Sequence, residues 1–314
     1  MGTELPFPPG GSLAESEARA SVNVRGLYVA IVNRAVNRFR MKSFQPDSSI
    51  VERVEPSPNF EERIGGRKPD MIVLHYTGME SETAALKRLC DREAKVSSHY
   101  LVMENGSVIQ MVPESLRAFH AGVSSWAGET DNNSRSIGIE IANPGHDFGY
   151  PEFGKRQIAA VILLCKGILT RHTILRENIV AHSDVAPARK QDPGEKFPWK
   201  LLHDSGVGLW VEPAPITDWL SLIPGDSGDT VRDLQKSLAS YGYGIDATGE
   251  YDEATKIVVT AFQRHFRPAQ VDGMADTSTR DTLARLLDAK AKPPQAKIRP
   301  PAAKETKNSP KPRA

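Results

Sequence analysis

Two histidines and one aspartate in this chain occupy positions where chemically active side chains often lie. His75 ends the apolar run "MIVL" and His182 ends the apolar segment "IVA", and ligands of α/β proteins collect at the carboxyl ends of such strands. Asp192 precedes Pro193 and Gly194, which favour a turn. Two imidazoles and one carboxylate are typical ligands of a catalytic zinc ion, whose fourth position stays open for water. The spacing of the histidines matches no diagnostic motif, so ordinary hydrogen-bonded histidines remain the alternative interpretation.

The elements that must position these residues alternate between strand-like and helix-like patterns across residues 46–213. Apolar runs rich in β-branched residues predict strands, and apolar residues three and four apart predict helices. The alternation predicts an α/β catalytic domain with a mixed central β-sheet flanked by helices. The strand-like segments are "MIVLHY", "SHYLVM", "SVIQMV" and "SIGIEIAN", and the helix-like segments are "SETAALKRLCDREA" and "KRQIAAVILLCKGILTRH".

The remaining regions differ from this domain in composition. Residues 226–288 repeat a turn followed by a helix and predict a small three-helix domain, joined through a linker at residues 214–225. Residues 1–45 contain "LPFPPGGS" and predict a flexible leader. The basic, proline-rich residues 289–314 predict a disordered tail, because they cannot bury enough apolar surface to offset the entropy of ordering.

Composition argues against several classes of protein. The 314 residues include 40 Lys and Arg against 39 Asp and Glu, a net charge of +1, so global charge predicts no nucleic-acid partner. No segment approaches the ~20 apolar residues of a transmembrane helix. Cys90 and Cys165 lie in apolar, helix-like segments and are predicted to be buried free thiols. None of these features sets the oligomeric state.

The segment "RGLYVAIVNRAVNRFRMKSF", residues 25–44, is the nearest approach to a targeting signal. Its apolar core is short, and arginines follow it instead of a cleavage site of small residues, so it predicts no standard signal peptide. A basic amphipathic helix at a membrane surface and a translation start at Met41 are the alternatives. Without a clear signal the cytoplasm is the favoured compartment and the periplasm the alternative.

Several motifs together carry a resemblance to a known family. In order along residues 46–210, "LHYTG", "SSHYLV", "AFHAG", "SIGIEIAN" and "AHSDVAPARKQDPGEKFPW" resemble the zinc-dependent N-acetylmuramoyl-L-alanine amidases of the type-2 amidase family. The resemblance implies that His75, His182 and Asp192 bind one Zn²⁺ per chain. It implies hydrolysis of the amide between the lactyl group of N-acetylmuramic acid and the L-alanine of the peptidoglycan stem peptide.

The same resemblance implies roles for two further residues. Glu140 lies on the otherwise apolar strand "SIGIEIAN", where a carboxylate without a partner is costly. The resemblance makes it the general base that later delivers a proton to the leaving amine, and a structural ion pair is the alternative. Lys190 stands two residues before Asp192 and is implied to stabilise the oxyanion. A merely solvated lysine is the alternative for this position.

Other polar and aromatic residues receive less definite roles. The resemblance implies that His120 in "AFHAG" contacts substrate in the groove. Trp126 is predicted to line the same groove, because sugars and peptides stack on exposed aromatic rings. Trp199 suits either the groove or the core, and Asp184 suits either a turn or the orientation of an imidazole. His99 is expected to be structural. The histidines without motif support are expected to be ordinary surface or core residues: His146, His172, His203 and His265.

The C-terminal unit has a resemblance of its own. The segments "GDSGDTVRDLQKSLASYGYGID", "TGEYDEATKIVVTAFQRHF" and "VDGMADTSTRDTLARLL" are similar in outline to a three-helix peptidoglycan-binding domain. Peptidoglycan or muropeptides are therefore the expected partners, and a tethered binding module would raise the local substrate concentration. The alternatives are a recognition module that binds peptidoglycan without cutting it, and a zinc peptidase that acts within the stem peptide.

Overall fold

The computed structural model describes residues 43–216 and 220–292. The predicted leader before residue 43, with the proposed start at Met41, lies outside the described residues, as does most of the 25–44 segment. Residues 217–219 of the predicted linker and residues 293–314 of the predicted tail also lie outside them. In the described ranges, no helix combines the length and the apolar character needed to cross a bilayer.

A six-stranded mixed sheet forms the centre of the N-terminal domain, as predicted. Its strand order is β1-β5-β4-β7-β3-β8, with β4 and β5 antiparallel and the other neighbouring pairs parallel. Strands β2 and β6 form a separate antiparallel pair. The strands are β1 (Val51–Val54), β2 (Phe60–Glu62), β3 (Met71–Tyr76), β4 (Tyr100–Val102), β5 (Val108–Gln110), β6 (Leu116–Ala118), β7 (Ser136–Ile141) and β8 (Ile179–Ala181).

The helices flank this sheet and then form the C-terminal part of the chain. The first five are α1 (Glu82–Leu89), α2 (Asn132–Arg135), α3 (Lys155–Arg171), α4 (His182–Val185) and α5 (Trp199–Asp204). Three more form the C-terminal helical unit: α6 (Asp229–Tyr241), α7 (Glu253–Phe266) and α8 (Thr277–Ala291). Short 3-10 turns occupy Ile64–Gly66, Arg92–Ala94, His146–Phe148 and Arg176–Asn178.

The two predicted helices of the catalytic domain are α1 and α3. Helix α3 buries Ile158, Val161, Leu164 and Cys165, a helical spacing that packs one apolar face against the sheet. The thiol prediction is correct for Cys165. The prediction of a buried thiol is wrong for Cys90, which follows the last turn of α1 and is partly exposed.

Strand register brings the chemically active residues to one edge of the sheet. In the parallel pair β3–β7, His75 lies opposite Glu140, and in the pair β3–β8, Leu74 lies opposite Ala181. His182 follows Ala181 and therefore begins α4 at the same edge. Because the apolar part of β3 is fully buried between neighbouring strands, this register is strongly specified.

The C-terminal helical unit packs directly on the catalytic domain. One continuous apolar core includes Trp126 and Trp210 of the catalytic part and Tyr241, Tyr243 and Phe266 of the helical unit. Aromatic side chains of both parts therefore share one buried cluster, in addition to the chain segment that connects them.

Two boundaries at the C-terminal end also differ from the prediction. Helix α8 continues to Ala291, so residues 289–291 are helical and do not belong to the predicted tail. Within the predicted linker, the backbone of Ala214 is held by α8: its N–H donates to Thr282 Oγ1 at 3.0 Å, and its carbonyl accepts from Ser278 Oγ at 2.5 Å. This part of the linker is thus anchored to the helical unit.

A buried carboxylate, Glu114, ties the sheet to the end of α3. Glu114 accepts hydrogen bonds from Tyr100 at 2.7 Å, from Arg171 at 2.6 and 3.0 Å, and from His172 Nε2 at 2.7 Å. Burial alone would raise its pKa, but these donors, His172 first, lower the pKa to about 2. The network accounts for His172 as a structural residue.

Glu114 should make stability pH-dependent below its ordinary pKa of 4.5. A carboxyl whose pKa is lower in the folded state contributes its stability above the unfolded pKa and loses it as the pH falls toward the folded pKa. We expect the unfolding free energy of the wild type, relative to Glu114→Gln, to fall by roughly 3 kcal/mol between pH 5 and 2. Urea unfolding at several pH values measures this difference.

A control uses Glu61, whose exposed carboxylate pairs with Arg117 at 3.1 Å. Exposed ion pairs contribute about 0–1 kcal/mol, so Glu61→Gln should follow the wild-type pH profile closely. Parallel profiles for wild type and Glu114→Gln would show that Glu114 contributes no such stability.

Candidate metal centre

Three potential ligand atoms converge at the carboxyl edge of the sheet. His75 Nδ1 lies 2.9 Å from His182 Nδ1 and 3.2 Å from Asp192 Oδ2, and His182 Nδ1 lies 3.0 Å from the same oxygen. All three residues are buried. A tetrahedral zinc site with bonds of about 2.0–2.2 Å separates its ligand atoms by about 3.4 Å. Two imidazole nitrogens and one carboxylate oxygen at these separations could therefore hold a metal ion such as zinc.

Hydrogen bonds behind the imidazoles direct their Nδ1 lone pairs toward this point. His182 Nε2 lies 3.2 Å from the carbonyl oxygen of Ala121, which can only accept, so this nitrogen carries the proton. His75 Nε2 lies 3.0 Å from His120 Nδ1. Burial first, and then the neighbouring His182, lower the pKa of His75 to about 4, so its ring is neutral near pH 7. An imidazole with its proton on Nε2 presents the Nδ1 lone pair that a metal requires.

Asp192 supplies the negative charge of the cluster. Burial alone would raise its pKa, but His182 and then His75 beside it lower the pKa overall, so the group is a carboxylate. Its loop is held on both sides: the Asp192 carbonyl accepts from Ser183 N at 3.0 Å, and the Pro193 carbonyl accepts from Tyr150 Oη at 2.7 Å. These bonds keep the carboxylate aimed at the two histidines.

Glu140 lies opposite His75 in the sheet, beside the three potential ligands. Its Oε2 atom is buried and has no hydrogen-bond partner within the described residues. Burial, followed by the charge of Asp192, raises the pKa of Glu140 well above its ordinary value, while Lys190 acts in the opposite direction. A raised pKa and a free oxygen in a cleft suit a group that exchanges protons during a reaction.

A cleft of about 340 Å³ gives access to this cluster. Its lining includes the three potential ligands together with Glu140, Lys190 and His120. The structure thus brings together every predicted site residue except Trp126. Further cleft residues include Met79, Arg88, Phe119, Asp147, Arg189 and Gln191.

His120 lies behind His75 and has both ring nitrogens engaged. Its Nδ1 faces His75, and its Nε2 lies 3.1 Å from Ser136 Oγ, which in turn donates to the carbonyl of Asn132. Gly138 permits this position, because a Cβ there would collide with the His120 ring. The predicted substrate contact stays a prediction, whereas the observed bonds orient a potential ligand.

Trp126 does not line the cleft, which corrects its predicted role. The side chain is 1% exposed, because it packs edge-on against Tyr241 and Tyr243 and its Nε1 donates to Asn178 at 3.3 Å. A substrate cannot stack on a ring that the C-terminal helical unit covers. Trp199 is likewise a core residue, since its ring stacks on His265 at 3.7 Å.

Trp126→Ala should therefore damage stability and spare substrate binding. Truncating a buried tryptophan costs about 3–5 kcal/mol of unfolding free energy, because a cavity remains. Chemical unfolding and steady-state kinetics on the same preparation measure both effects. Val123→Ala is a nearby control, since Val123 is 88% exposed and should change stability little. A higher KM with unchanged stability would show instead that Trp126 contacts substrate.

Two histidines that had no motif support in the sequence, His146 and His265, make specific contacts near the cluster. His146, expected to be ordinary, bonds Tyr76 at 3.0 Å and Glu195 at 3.2 Å and stacks on Tyr150. His265, also expected to be ordinary, lies 2.6 Å from the Asp184 carboxylate. His265 is buried next to Phe266 in the apolar pattern of α7, a position where a polar ring needs a partner.

His99 has the structural role expected of it. The residue is fully buried, and its Nδ1 accepts from Gly138 N at 3.0 Å while its Nε2 lies 3.0 Å from the Leu116 carbonyl. The bond to Gly138 holds β7 in place where that strand lies against the His120 ring. His203 bonds the Gly208 carbonyl at 3.2 Å, outside the cleft.

Comparison with known proteins gives matches for both parts of the chain. A family model described as N-acetylmuramoyl-L-alanine amidase matches residues 65–195, and a peptidoglycan-binding-domain model matches residues 227–283. The N-acetylmuramoyl-L-alanine amidase AmiD of Escherichia coli (strain K12) is 39% identical over 231 residues. That match covers 69% of this chain and 82% of AmiD.

Two solved structures have a similar fold over most of their length. The complex of E. coli AmiD with anhydro-N-acetylmuramic acid-L-Ala-D-gamma-Glu-L-Lys superposes with a TM-score of 0.60 at 35% identity, covering 74% of this chain and 98% of that chain. AmpDh3 from Pseudomonas aeruginosa in complex with anhydromuramic pentapeptide gives a TM-score of 0.59 at 30% identity, covering 80% and 97%.

Proposed function

This chain belongs to the type-2 N-acetylmuramoyl-L-alanine amidase family, and we propose that His75, His182 and Asp192 hold one catalytic zinc ion per chain. Members of this family are zinc enzymes that hydrolyse the amide between the lactyl group of N-acetylmuramic acid and L-alanine of the stem peptide. The observation that carries the zinc proposal is the convergence of two Nδ1 atoms and one carboxylate oxygen within 2.9–3.2 Å.

Glu140 is the residue we assign to proton transfer. When bound, zinc supplies polarisation of a carbonyl oxygen and a lower pKa for water. The free Oε2 of Glu140 takes a proton from the attacking water as that water's oxygen bonds to the lactyl carbonyl carbon. Glu140 then gives this proton to the nitrogen of L-alanine as the C–N bond breaks. The products are the lactyl carboxylic acid and a free stem peptide.

Lys190 is assigned to the negative charge that develops on the carbonyl oxygen. Its side chain lines the cleft and lies near enough to Glu140 to oppose the rise in that carboxyl's pKa. We expect Lys190→Met to lower kcat by about 10²–10³-fold with little change in KM, as is usual when an oxyanion donor is lost. Steady-state kinetics with Lys190→Arg as the charge-preserving control test this role, and equal losses in both variants would contradict it.

Muropeptides and the peptidoglycan polymer are the proposed substrates. AmiD and AmpDh3 are solved with anhydromuramyl peptides, and the matched peptidoglycan-binding domain favours polymer as well. Arg88, an exposed residue that lines the cleft, offers a partner for a carboxylate of a stem peptide.

We propose that residues 46–213 form the catalytic domain and that residues 226–288 bind the cell wall. Residues 214–225 connect the two. The two family matches at 65–195 and 227–283 fall inside these ranges. Because the two parts share one apolar core, we propose that the binding face is presented in a fixed direction relative to the cleft.

The products of digestion test the proposed function. Incubation with an anhydromuropeptide should release a stem peptide with a free L-alanine amino group, and metal analysis should find about one zinc per chain. Release of a shorter peptide would favour a peptidase that acts within the stem. Binding to wall material without zinc or cleavage would favour a recognition module.

A further inference from the structure

Helix α7 of the C-terminal helical unit reaches the segments that carry two of the potential metal ligands, His182 in α4 and Asp192 in a loop. His265 Nδ1 lies 2.6 Å from Asp184 Oδ2, and Asp184 follows His182 by two residues in α4. The preceding residue, Arg264, has its Nε 4.0 Å from Glu195, three residues after Asp192. Consecutive residues of one helix therefore contact both segments that carry potential ligands.

The carboxylate of Asp184 is the centre of the first contact. The residue is fully buried, and its Oδ2 accepts from Ala181 N at 2.8 Å, next to His182 in the chain. Its Oδ1 accepts from Tyr243 Oη at 2.7 Å. A buried carboxylate needs several hydrogen-bond donors. The catalytic domain supplies the N–H of Ala181, and the helical unit supplies the side chains of His265 and Tyr243.

The ring of His265 has little freedom to move. It is stacked between Trp199 and Phe266, each with ring centroids 3.7 Å away, and the residue is 2% exposed. A ring held on both faces places its Nδ1 at a defined point relative to Asp184. The hydroxyl of Tyr243 is equally well placed, since the residue is 3% exposed beside Trp126.

We propose that His265 and Tyr243 are positioning residues for the metal centre, acting through Asp184 on the segment that carries His182. The inference rests on the proposed zinc site and adds a role for the C-terminal helical unit besides binding the wall. Groups that orient metal ligands from behind typically change metal affinity by about 10–100-fold when they are removed. Zinc retention should thus depend on contacts made by a different part of the chain.

Paired substitutions separate the hydrogen bond from the packing. His265→Phe keeps a stacked ring but loses the donor to Asp184. His265→Asn loses part of the stack but keeps an N–H the same number of bonds from Cα as Nδ1. Tyr243→Phe removes only the hydroxyl, and Tyr241→Phe is its control, because Tyr241 is a neighbouring buried tyrosine stacked beside Tyr243.

Zinc affinity is measured by competition with a chelator, and the coordination geometry by the visible spectrum of the cobalt-substituted protein. We expect His265→Phe and Tyr243→Phe to bind zinc about 10–100-fold more weakly and to shift the cobalt spectrum. His265→Asn should recover much of the affinity, and Tyr241→Phe should match the wild type. Thermal unfolding of the metal-free proteins, recorded in parallel, identifies any variant that is merely unfolded.

The outcomes distinguish this inference from the function on which it rests. Wild-type affinity and spectrum in both His265→Phe and Tyr243→Phe, with zinc bound tightly by the wild type, would overturn the positioning role alone. A loss of affinity that follows thermal stability across all four variants, with an unchanged cobalt spectrum, would also overturn it. A wild type that binds no zinc would overturn the proposed metal centre together with the inference.

Discussion

Replacing Glu140 by glutamine is expected to lower kcat by about 10²–10⁴-fold while zinc stays bound. The substitution keeps the size of the side chain but removes its capacity to accept a proton. Glu140 is not among the three converging potential ligands, and its Oε2 has no partner in the described part of the chain. The loss should therefore appear in the chemical step, with zinc content and KM close to those of the wild type.

Glu114→Gln is a matched control for this prediction, because Glu114 is also a buried glutamate but lies in a structural network with Arg171. Near neutral pH that variant should keep its turnover. The role of Glu140 would be contradicted if Glu140→Gln turned over at the wild-type rate, or if its loss of activity followed a loss of zinc.

Replacing His75 by alanine is expected to remove zinc and activity together. The imidazole supplies one of only two ring nitrogens in the cluster, and alanine offers no ligand atom. A site with two remaining protein ligands binds zinc much more weakly, so kcat should fall to the background of the assay. Elemental analysis after dialysis and a hydrolysis assay on the same sample measure both losses.

His203→Ala is the control for removing a histidine, because His203 bonds Gly208 outside the cleft. It should retain about one zinc per chain. Full zinc content in His75→Ala would show that this residue is not a ligand, and full activity without zinc would contradict the metal mechanism itself.

The sequence was sufficient to predict the edge of the sheet where the site lies. Apolar runs that end at His75 and His182 predict strands whose carboxyl ends meet, and the structure adds the register that sets His75 opposite Glu140. That register depends on pairing between strands far apart in the chain, so no local pattern could give it. The Nδ1 atoms could not be assigned either, because their direction depends on hydrogen bonds to Ala121 and His120.

The residues at the junction of the two parts were the least predictable. A tryptophan ring suits a substrate groove, but Tyr241 and Tyr243 cover the ring of Trp126. His265 and Asp184 belong to different predicted domains, and only their docking forms the 2.6 Å contact. Sequence patterns describe the buried face of each helix and do not identify what covers that face.

The bond that this enzyme cuts is identified by hydrolysis of an anhydromuropeptide by the zinc-loaded wild type in heavy-oxygen water, with mass analysis of both products. One labelled oxygen should enter the carboxyl group of the lactyl moiety, and the stem peptide should leave unlabelled with a free L-alanine amino group. A label in a carboxyl group of the peptide would show that a different bond is cut, and the absence of any labelled product would show that this amide is not hydrolysed.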